Sequence, residues 1–394
     1  MKQTESVIST YAADVSGVCS ALYEMGGMTI MHDASGCNST YNTHDEPRWY
    51  DMPSMVYISA LSEIEAVLGE EEKLIRDICE TAEELKPRFI AIAGTPIPMM
   101  TGTDFPGVAR MIERRTGIPS FGFATNGMHS YLSGAGMALA AVAERFCPPE
   151  IRREKGKTTS VNLLGVTPLD FSVTGNVEAL REYFSRNGFP VYSCWAMGSP
   201  WEELMQAGRA SVNVVVSSCG LPLAEILRKR YGTPYVVGAP IGKAFSEMLL
   251  DEIQKAAKDG QNRNLLLGKS EREDLVSHKA YILGEAVCSA SLRRALEMSF
   301  GMTGISIVSP LEADPSLLRK ADLFSAEEDD LFQMLGDAQF VIADPLYQRA
   351  IRRNNTVKFI SLPHEGFSGR IYRKEIPVLI GSLADDWLEE RLSK

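Results

Sequence analysis

The sequence predicts an α/β protein of mostly parallel sheets. Short β-branched and aliphatic runs recur along the chain, and between them lie helical-period segments opened by turn residues, the pattern of βα units. The length, 394 residues, is enough for two or three separate cores. With 45% hydrophobic and 23% charged residues, the composition is that of an ordinary globular chain and argues against disorder, collagen or coiled coil.

The first unit, residues 1–150, reads as strands at Met28–Met31, Met55–Ser59, Phe89–Ala93 and Ile118–Phe123, with helices over Ser16–Met25, Glu63–Lys86, Phe105–Thr116 and Ser133–Phe146. Cys147–Lys157, with two prolines and a charge run, reads as a linker. The second unit, residues 158–272, has expected strands at Ser160–Val166, Pro190–Ala196, Val212–Ser218 and Tyr235–Gly238, and helices over Val177–Asn187 and Pro222–Tyr231. The polar run Gly260–Asn264 and the charged stretch through Asp274 lead to the third unit, residues 276–394. Its strands are expected at Ala280–Gly284, Ile305–Val308, Phe340–Ala343, Phe359–Leu362 and Val378–Ile380. Each unit is Rossmann-like, and ligands of such open sheets bind in clefts outside the carboxyl ends of the strands.

Composition narrows the function. Forty Lys and Arg against 51 Asp and Glu give a net charge of -11 with no basic stripe, which disfavours nucleic acid and anionic membrane as partners. No apolar run has the length of a spanning helix, and the N-terminus has no secretion-signal pattern, so a cytoplasmic protein is expected. Seven cysteines, an odd number, argue against a disulfide framework. Gly238–Lys243 has one residue too few between its glycines for a phosphate loop, and Ala244 stands where a magnesium-binding hydroxyl belongs, so no nucleotide site is expected. Gly134-Ala135-Gly136 reads as close helix packing because Leu139 occupies the third glycine position of a dinucleotide fingerprint. No C-x-x-C pair occurs, which leaves no zinc pattern. His278 reads as surface, whereas His32, His44, His129 and His364 fall in loops where ligands gather, with an ordinary hydrogen-bonded loop histidine as the alternative for each.

The chemistry centres on thiols. Cys19 lies near the start of a helix, where the dipole favours a thiolate, and Cys37 follows Gly36 in a turn where backbone can approach a ligand closely. Two cysteines are half of a four-cysteine iron-sulfur site, which a two-fold dimer completes; the alternative is that both are small buried hydrophobes. The run Thr43-His44-Asp45-Glu46-Pro47-Arg48-Trp49-Tyr50 gathers His44, Arg48, two carboxylates and two aromatics beside Cys37, and reads either as a substrate-cavity loop or as a subunit-contact segment.

Several strings resemble one family. Ala21-Leu22-Tyr23, His32-Asp33-Ala34-Ser35-Gly36-Cys37, Pro87 to Thr95 and Thr101-Gly102-Thr103-Asp104 look like the catalytic component of nitrogenase and its relatives, which include dark-operative protochlorophyllide reductase and the nickel-tetrapyrrole reductase of coenzyme F430 synthesis. Ser217-Ser218-Cys219 with Lys229 to Pro234, and Ala343-Asp344-Pro345 through Pro363-His364 and Gly369-Arg370, extend the resemblance over nearly the whole chain. It implies three Rossmann-like domains, a two-fold or pseudo-two-fold assembly, an iron-sulfur cluster at the subunit interface, and electrons from a separate ATP-hydrolysing iron protein.

Carried over residue by residue, Cys37 matches the second cluster position. The first falls near Ser16, one helical turn from Cys19, and the third falls at Pro96, which cannot ligate. The surviving arrangement is Cys19 and Cys37 from each of two identical subunits around one 4Fe-4S cluster. Cys219 lies two or three residues beyond the family's cofactor cysteine and either faces the cleft or packs as a buried thiol, with His32 and Gly36 as further cofactor contacts. His364 is placed toward the same cleft, with His44 and Arg48, as catalytic. Cys79, Cys147, Cys194 and Cys288 read as structural. The function expected is a nitrogenase-like reductase component, a homodimer or a pair with a paralogous subunit, reducing a small or tetrapyrrole-like substrate. The alternatives are a metal-cluster or cofactor scaffold without turnover and a cluster-free binding protein of the same fold.

Overall fold

The computed structural model describes residues 12–34, 41, 45–69, 71–151, 158–268, 279–324, 328–351 and 357–393. Gly36, Cys37, His44 and His278 lie outside the described residues, as do parts of both expected linkers.

Three sheets are present, and every strand pairing within them is parallel. The first contains β1 (Met28–His32), β2 (Val56–Ile58), β3 (Ile90–Gly94) and β4 (Ser120–Phe123) in the order β2-β1-β3-β4. The second contains β5 (Val161–Leu164), β6 (Val191–Cys194), β7 (Val212–Val215), β8 (Tyr235–Val237) and β9 (Arg263–Asn264) in the order β6-β5-β7-β8-β9. The third contains β10 (Ala280–Leu283), β11 (Ile305–Ser309), β12 (Leu323–Phe324), β13 (Phe340–Ala343) and β14 (Lys358–Ser361) in the order β12-β11-β10-β13-β14. Helices cover the faces, so the central strands β1, β3, β5, β7 and β13 are buried throughout and are mostly apolar, with Thr29, His32, Asn162 and Asn213 as buried polar exceptions. The strand order reverses between β1 and β3, β5 and β7, and β10 and β13. Loops diverge at such points and leave crevices for ligands.

The structure departs from the sequence reading in four places. The segment read as one helix over Glu63–Lys86 is two, Glu63–Leu68 and Glu71–Leu85, because Gly69 adopts φ 68° and caps the first by donating to the Glu65 carbonyl. Val378–Ile380 forms no strand in the third sheet; Ile380 and Gly381 instead bridge to Ile241 of the second unit, and the Gly381 amide donates to the Pro240 carbonyl at 2.7 Å. Long helices over Lys243–Asp259 and Ala286–Phe300 occupy segments that the sequence reading left unassigned. Within the polar run Gly260–Asn264, Arg263–Asn264 forms the edge strand β9.

Both rejected glycine motifs have structural explanations. A Cβ on Gly134 would lie 1.8 Å from the Asp14 carbonyl oxygen, so this glycine lets helix Tyr131–Phe146 cross helix Asp14–Leu22 in close contact. At the false phosphate loop the Lys243 amide donates to the Asp385 carboxylate of the same chain at 2.5 Å. Among the described residues, no helix is long and apolar enough to cross a membrane.

Candidate active site at the junction of the three sheets

Polar residues from all three units meet at one buried carboxylate. After β5 the chain turns at Gly165, Thr167 caps the short helix Pro168–Phe171, and this turn presents Asp170. Asp170 Oδ1 accepts from the Tyr131 hydroxyl at 2.5 Å, and its Oδ2 accepts from Ser217 Oγ at 2.7 Å and Thr167 Oγ1 at 3.0 Å. His364 Nε2 lies 3.5 Å from Oδ1. Tyr131 opens a helix of the first unit, Ser217 follows β7 of the second, and His364 follows β14 of the third.

The residues beside Asp170 extend the network. The Glu285 carboxylate follows β10, caps helix Ala286–Phe300 through the Cys288 amide at 2.8 Å, and accepts from the Ser218 amide at 2.9 Å across the boundary between units. Burial, with the Asp170 charge second, raises the Glu285 pKa above the usual carboxylate range. Asp344, after β13, accepts from the His364 amide at 2.9 Å and Ser368 Oγ at 2.5 Å, and burial raises it too. Tyr131 is pushed well above an ordinary phenol, first by burial and then by Asp170. Switch-point carboxylates, a phenol and an imidazole thus gather at one place, with Tyr131, Thr167 and Ser217 hydrogen-bonded to Asp170 and the His364 ring 3.5 Å from it.

The tautomer of His364 follows from heavy-atom geometry. The Gly366 amide donates to its Nδ1 at 3.1 Å, so in the neutral ring the proton sits on Nε2, facing Asp170. A histidine that ligates metal usually donates its other ring N–H to an acceptor. His364 does the opposite, which suits it to proton transfer and not to ligation. Its side chain is 17% exposed, whereas that of Asp170 is fully buried, and the Nε2 atom that faces Asp170 is itself buried.

The chain is similar to known proteins. Residues 15–331 match the family model described as nitrogenase component 1 type oxidoreductase. The chain belongs to this family. It is 25% identical over 339 residues to the nitrogenase iron-molybdenum cofactor biosynthesis protein NifE of Bradyrhizobium diazoefficiens, a match covering 80% of this chain and 58% of that protein. It is 27% identical over 196 residues to one of the subunits of the light-independent protochlorophyllide reductase of Chlorobium phaeobacteroides, covering 43% and 37% of the two chains. The matches to these curated relatives thus span from about a third to three fifths of the relatives' length. A solved structure titled Nitrogenase Cp1 at pH 6.5 superposes with a TM-score of 0.69 at 14% identity, over 100% of this chain and 93% of that one, which establishes the shared fold.

Members of the nitrogenase component 1 family bind metal clusters of the iron-sulfur type, and the described residues fit the expected interface cluster poorly. Cys19 is the sixth residue of helix Asp14–Leu22, not near its start, and is wholly buried in the core beside Val18, Leu22 and Tyr41. Burial and then the nearby Glu46 carboxylate raise its pKa above that of an ordinary thiol, and its place inside the core keeps the thiol away from the surface of the chain. Cys219 is buried behind the junction, its Sγ 3.4 Å from Ser217 Oγ and 3.7 Å from the Gly165 carbonyl. Gly165 and Gly220 bring the two loops so close that a Cβ on Gly220 would sit 2.5 Å from the Leu164 oxygen, which leaves no room there for a large cofactor. Among the described residues, no group of three His, Cys, Asp or Glu side chains is placed to hold a metal ion.

The remaining expected residues fall at two other places. His32 ends β1, far along the chain from the junction residues, and hydrogen-bonds Ser59 through Nδ1 at 2.8 Å. Arg48 is buried, and all of its donors are occupied: Nε and Nη2 on Glu46 at 2.6 and 3.0 Å, Nη1 on Glu24 at 2.8 Å, Nη2 on the Ser20 carbonyl at 2.8 Å, and Nη1 on the Ala196 carbonyl at 3.4 Å. This guanidinium fastens the segment after Cys37 and has no donor left for a substrate. The same segment nevertheless reaches the junction: Arg370, on the helix that His364 caps, donates to Asp45 at 2.8 Å. Sequence reasoning missed Tyr131, Asp170 and Glu285. Asp170 carried a detectable signal, the Thr-Pro-Leu-Asp capping pattern directly after a strand.

Proposed function

We propose that the chain is the catalytic component of a cytoplasmic nitrogenase-like reductase, fed by a separate ATP-hydrolysing iron protein, and that Asp170, Tyr131 and His364 deliver the protons its reduction consumes. The observation that carries this reading is the His364 tautomer, whose buried Nε2 is aimed at the Asp170 carboxylate. The His364 and Asp170 pair relays protons toward a substrate held between helix Glu365–Tyr372 and the segment around Asp45, while Tyr131 and Ser217 hold Asp170 in place. The iron-sulfur chemistry supplies single electrons. Cys37 of each subunit remains the candidate ligand at the interface, without Cys19.

The subunit contact has its own support. Helix Glu63–Leu68 buries none of its residues, and Ile64, Val67 and Leu68 are 71, 80 and 66% exposed. Met99 and Met100, on helix Pro96–Thr101 after β3, are 53 and 85% exposed beside them. An apolar crown of this kind at the carboxyl end of the first sheet fits a second copy of the chain.

The test is ATP-dependent substrate reduction with the neighbouring iron protein, in wild type and in Asp170→Asn and His364→Gln. A fall of about 10²- to 10⁴-fold with the substrate's KM little changed is expected for lost proton delivery. Unaltered turnover in both variants overturns the assignment. A second reading is favoured by the relatives that are cofactor biosynthesis proteins: a scaffold that receives and releases a metal cluster without turnover. Transfer of bound iron to an acceptor in the absence of ATP-dependent reduction distinguishes it.

A further inference from the structure

Ser172 stands in a backbone conformation that suits glycine. It follows the short helix Pro168–Phe171, and its amide closes that helix by donating to the Pro168 carbonyl at 2.8 Å. Its backbone has φ 52° and ψ -169°. Glycine adopts such angles freely, whereas a Cβ crowds the neighbouring backbone and the residue is held there under strain. Ala60 and Lys86 also have positive φ, but both are exposed, and Ser172 is wholly buried.

The hydroxyl accounts for the serine. Ser172 Oγ donates to Glu365 Oε2 at 2.6 Å, across the boundary between the second and third units. Glu365 is buried too, and Arg373 holds its other oxygen, Oε1, through Nε at 2.8 Å and Nη2 at 2.6 Å, so the acceptor is fixed in place. Asp170 stands two residues before Ser172, and His364 one residue before Glu365. Tyr131, Thr167 and Ser217 anchor the Asp170 carboxylate, and Asp344 anchors the His364 amide. Between the two side chains the separation is 3.5 Å, and Nε2 makes no hydrogen bond among the described residues, so the pair does not hold itself together. The bond from Ser172 to Glu365 ties the two segments beside that gap.

We infer that Ser172 is a positioning residue: its hydroxyl, bonded to Glu365, sets the approach of the His364 ring to Asp170, and the strained backbone is what presenting that hydroxyl requires. The inference deepens the proton-delivery reading and rests on it for any effect on turnover, while the geometry it sets is measured without substrate.

Two substitutions separate the hydroxyl from the strain. Ser172→Ala loses the hydroxyl and keeps the Cβ, and Ser172→Gly loses both. Ser172→Gly is expected to melt about 2 °C or more above Ser172→Ala and yet to fail with it at the site. The site is read by NMR on the full-length chain carrying isotope-labelled histidine, with the His364 signals assigned by their loss in His364→Gln. In wild type the buried Nε2 proton is expected to exchange slowly with water, and in both Ser172 variants to exchange about tenfold faster or more. With the iron protein and substrate, both variants are expected to lose kcat with KM little changed. Wild-type exchange in either folded variant overturns the inference, and so does Ser172→Ala melting as high as Ser172→Gly, since the backbone is then unstrained. Faster exchange with unaltered turnover upholds the positioning role and overturns the proton-delivery reading instead.

Discussion

Arg48 and Glu46 illustrate how a run of charges becomes structure. Both are buried, joined by paired hydrogen bonds, and Ser20 Oγ adds a third donor to Glu46 at 2.7 Å. Removing one member strands the other charge in the interior, which costs about 3–5 kcal/mol. Arg48→Ala is therefore expected to lower unfolding stability by that amount in denaturant titration, and Arg48→Met combined with Glu46→Leu to recover most of it. At the junction Glu285 makes a pH-dependent prediction. Its pKa is raised in the folded state, so folding retains a proton that the unfolded chain releases, and stability declines as pH rises from the ordinary carboxylate value toward the raised one. Glu285→Gln cannot ionise. The Tm of this variant relative to wild type is expected to climb as pH rises above the ordinary carboxylate value; a difference that stays constant with pH contradicts the shift.

Two elements depend on close contact or on its absence. The crossing of helices Asp14–Leu22 and Tyr131–Phe146 relies on Gly17 and Gly134, where an added Cβ would meet the Tyr131 and Asp14 carbonyl oxygens at 2.0 and 1.8 Å. Backbone atoms cannot move aside as a flexible side chain does, so Gly134→Ala is expected to destabilise by about 3 kcal/mol or more and, by shifting Tyr131, to loosen the junction. Thermal denaturation and the pH-rate profile check both effects. Helix Glu63–Leu68 is the opposite case. It has a full capping box between Ser62 and Glu65 yet touches no core, so local hydrogen bonds hold it while its apolar side chains face outward. Val67→Asp with Met100→Asp is expected to leave Tm within about 2 °C and to dissociate a dimer in sedimentation velocity. A dimer that survives both changes uses another surface.

At the scale of the whole molecule, a few polar contacts tie the three sheets together. Besides the Asp170 network, Ser172 of the second unit donates to Glu365 of the third at 2.6 Å, and Arg373 binds the same carboxylate at 2.6 Å. Glu312 of the third unit accepts from the Ser130 amide of the first at 2.9 Å and pairs with His129 at 3.1 Å. These polar contacts sit beside an apolar core that runs continuously through all three units, and the junction lies where the three meet.

The α/β class, most strands, the helices over Phe105–Thr116 and Pro222–Tyr231, the rejected phosphate loop and the family resemblance were legible in the sequence, because periodicity and turn residues are local properties. His364 was legible as a loop residue after a strand. Its tautomer was not, since that depends on one backbone amide and one carboxylate, the latter 194 positions distant along the chain. Tyr131 and Glu285 were invisible for the same reason, and Asp170 showed only its capping pattern: each looks like an ordinary helix-start residue until strand order brings three sheets to one point. Cys19 shows the converse, a residue read as a metal ligand from its place near a helix start, although one turn from the family position, whose true place in the middle of a buried helix takes it away from the surface. The sequence by itself determined which segments are strands and helices and which family the chain resembles; only the tertiary structure decided which polar groups share a hydrogen bond and which thiols face inward, because burial and partnership are properties of packing across distant segments.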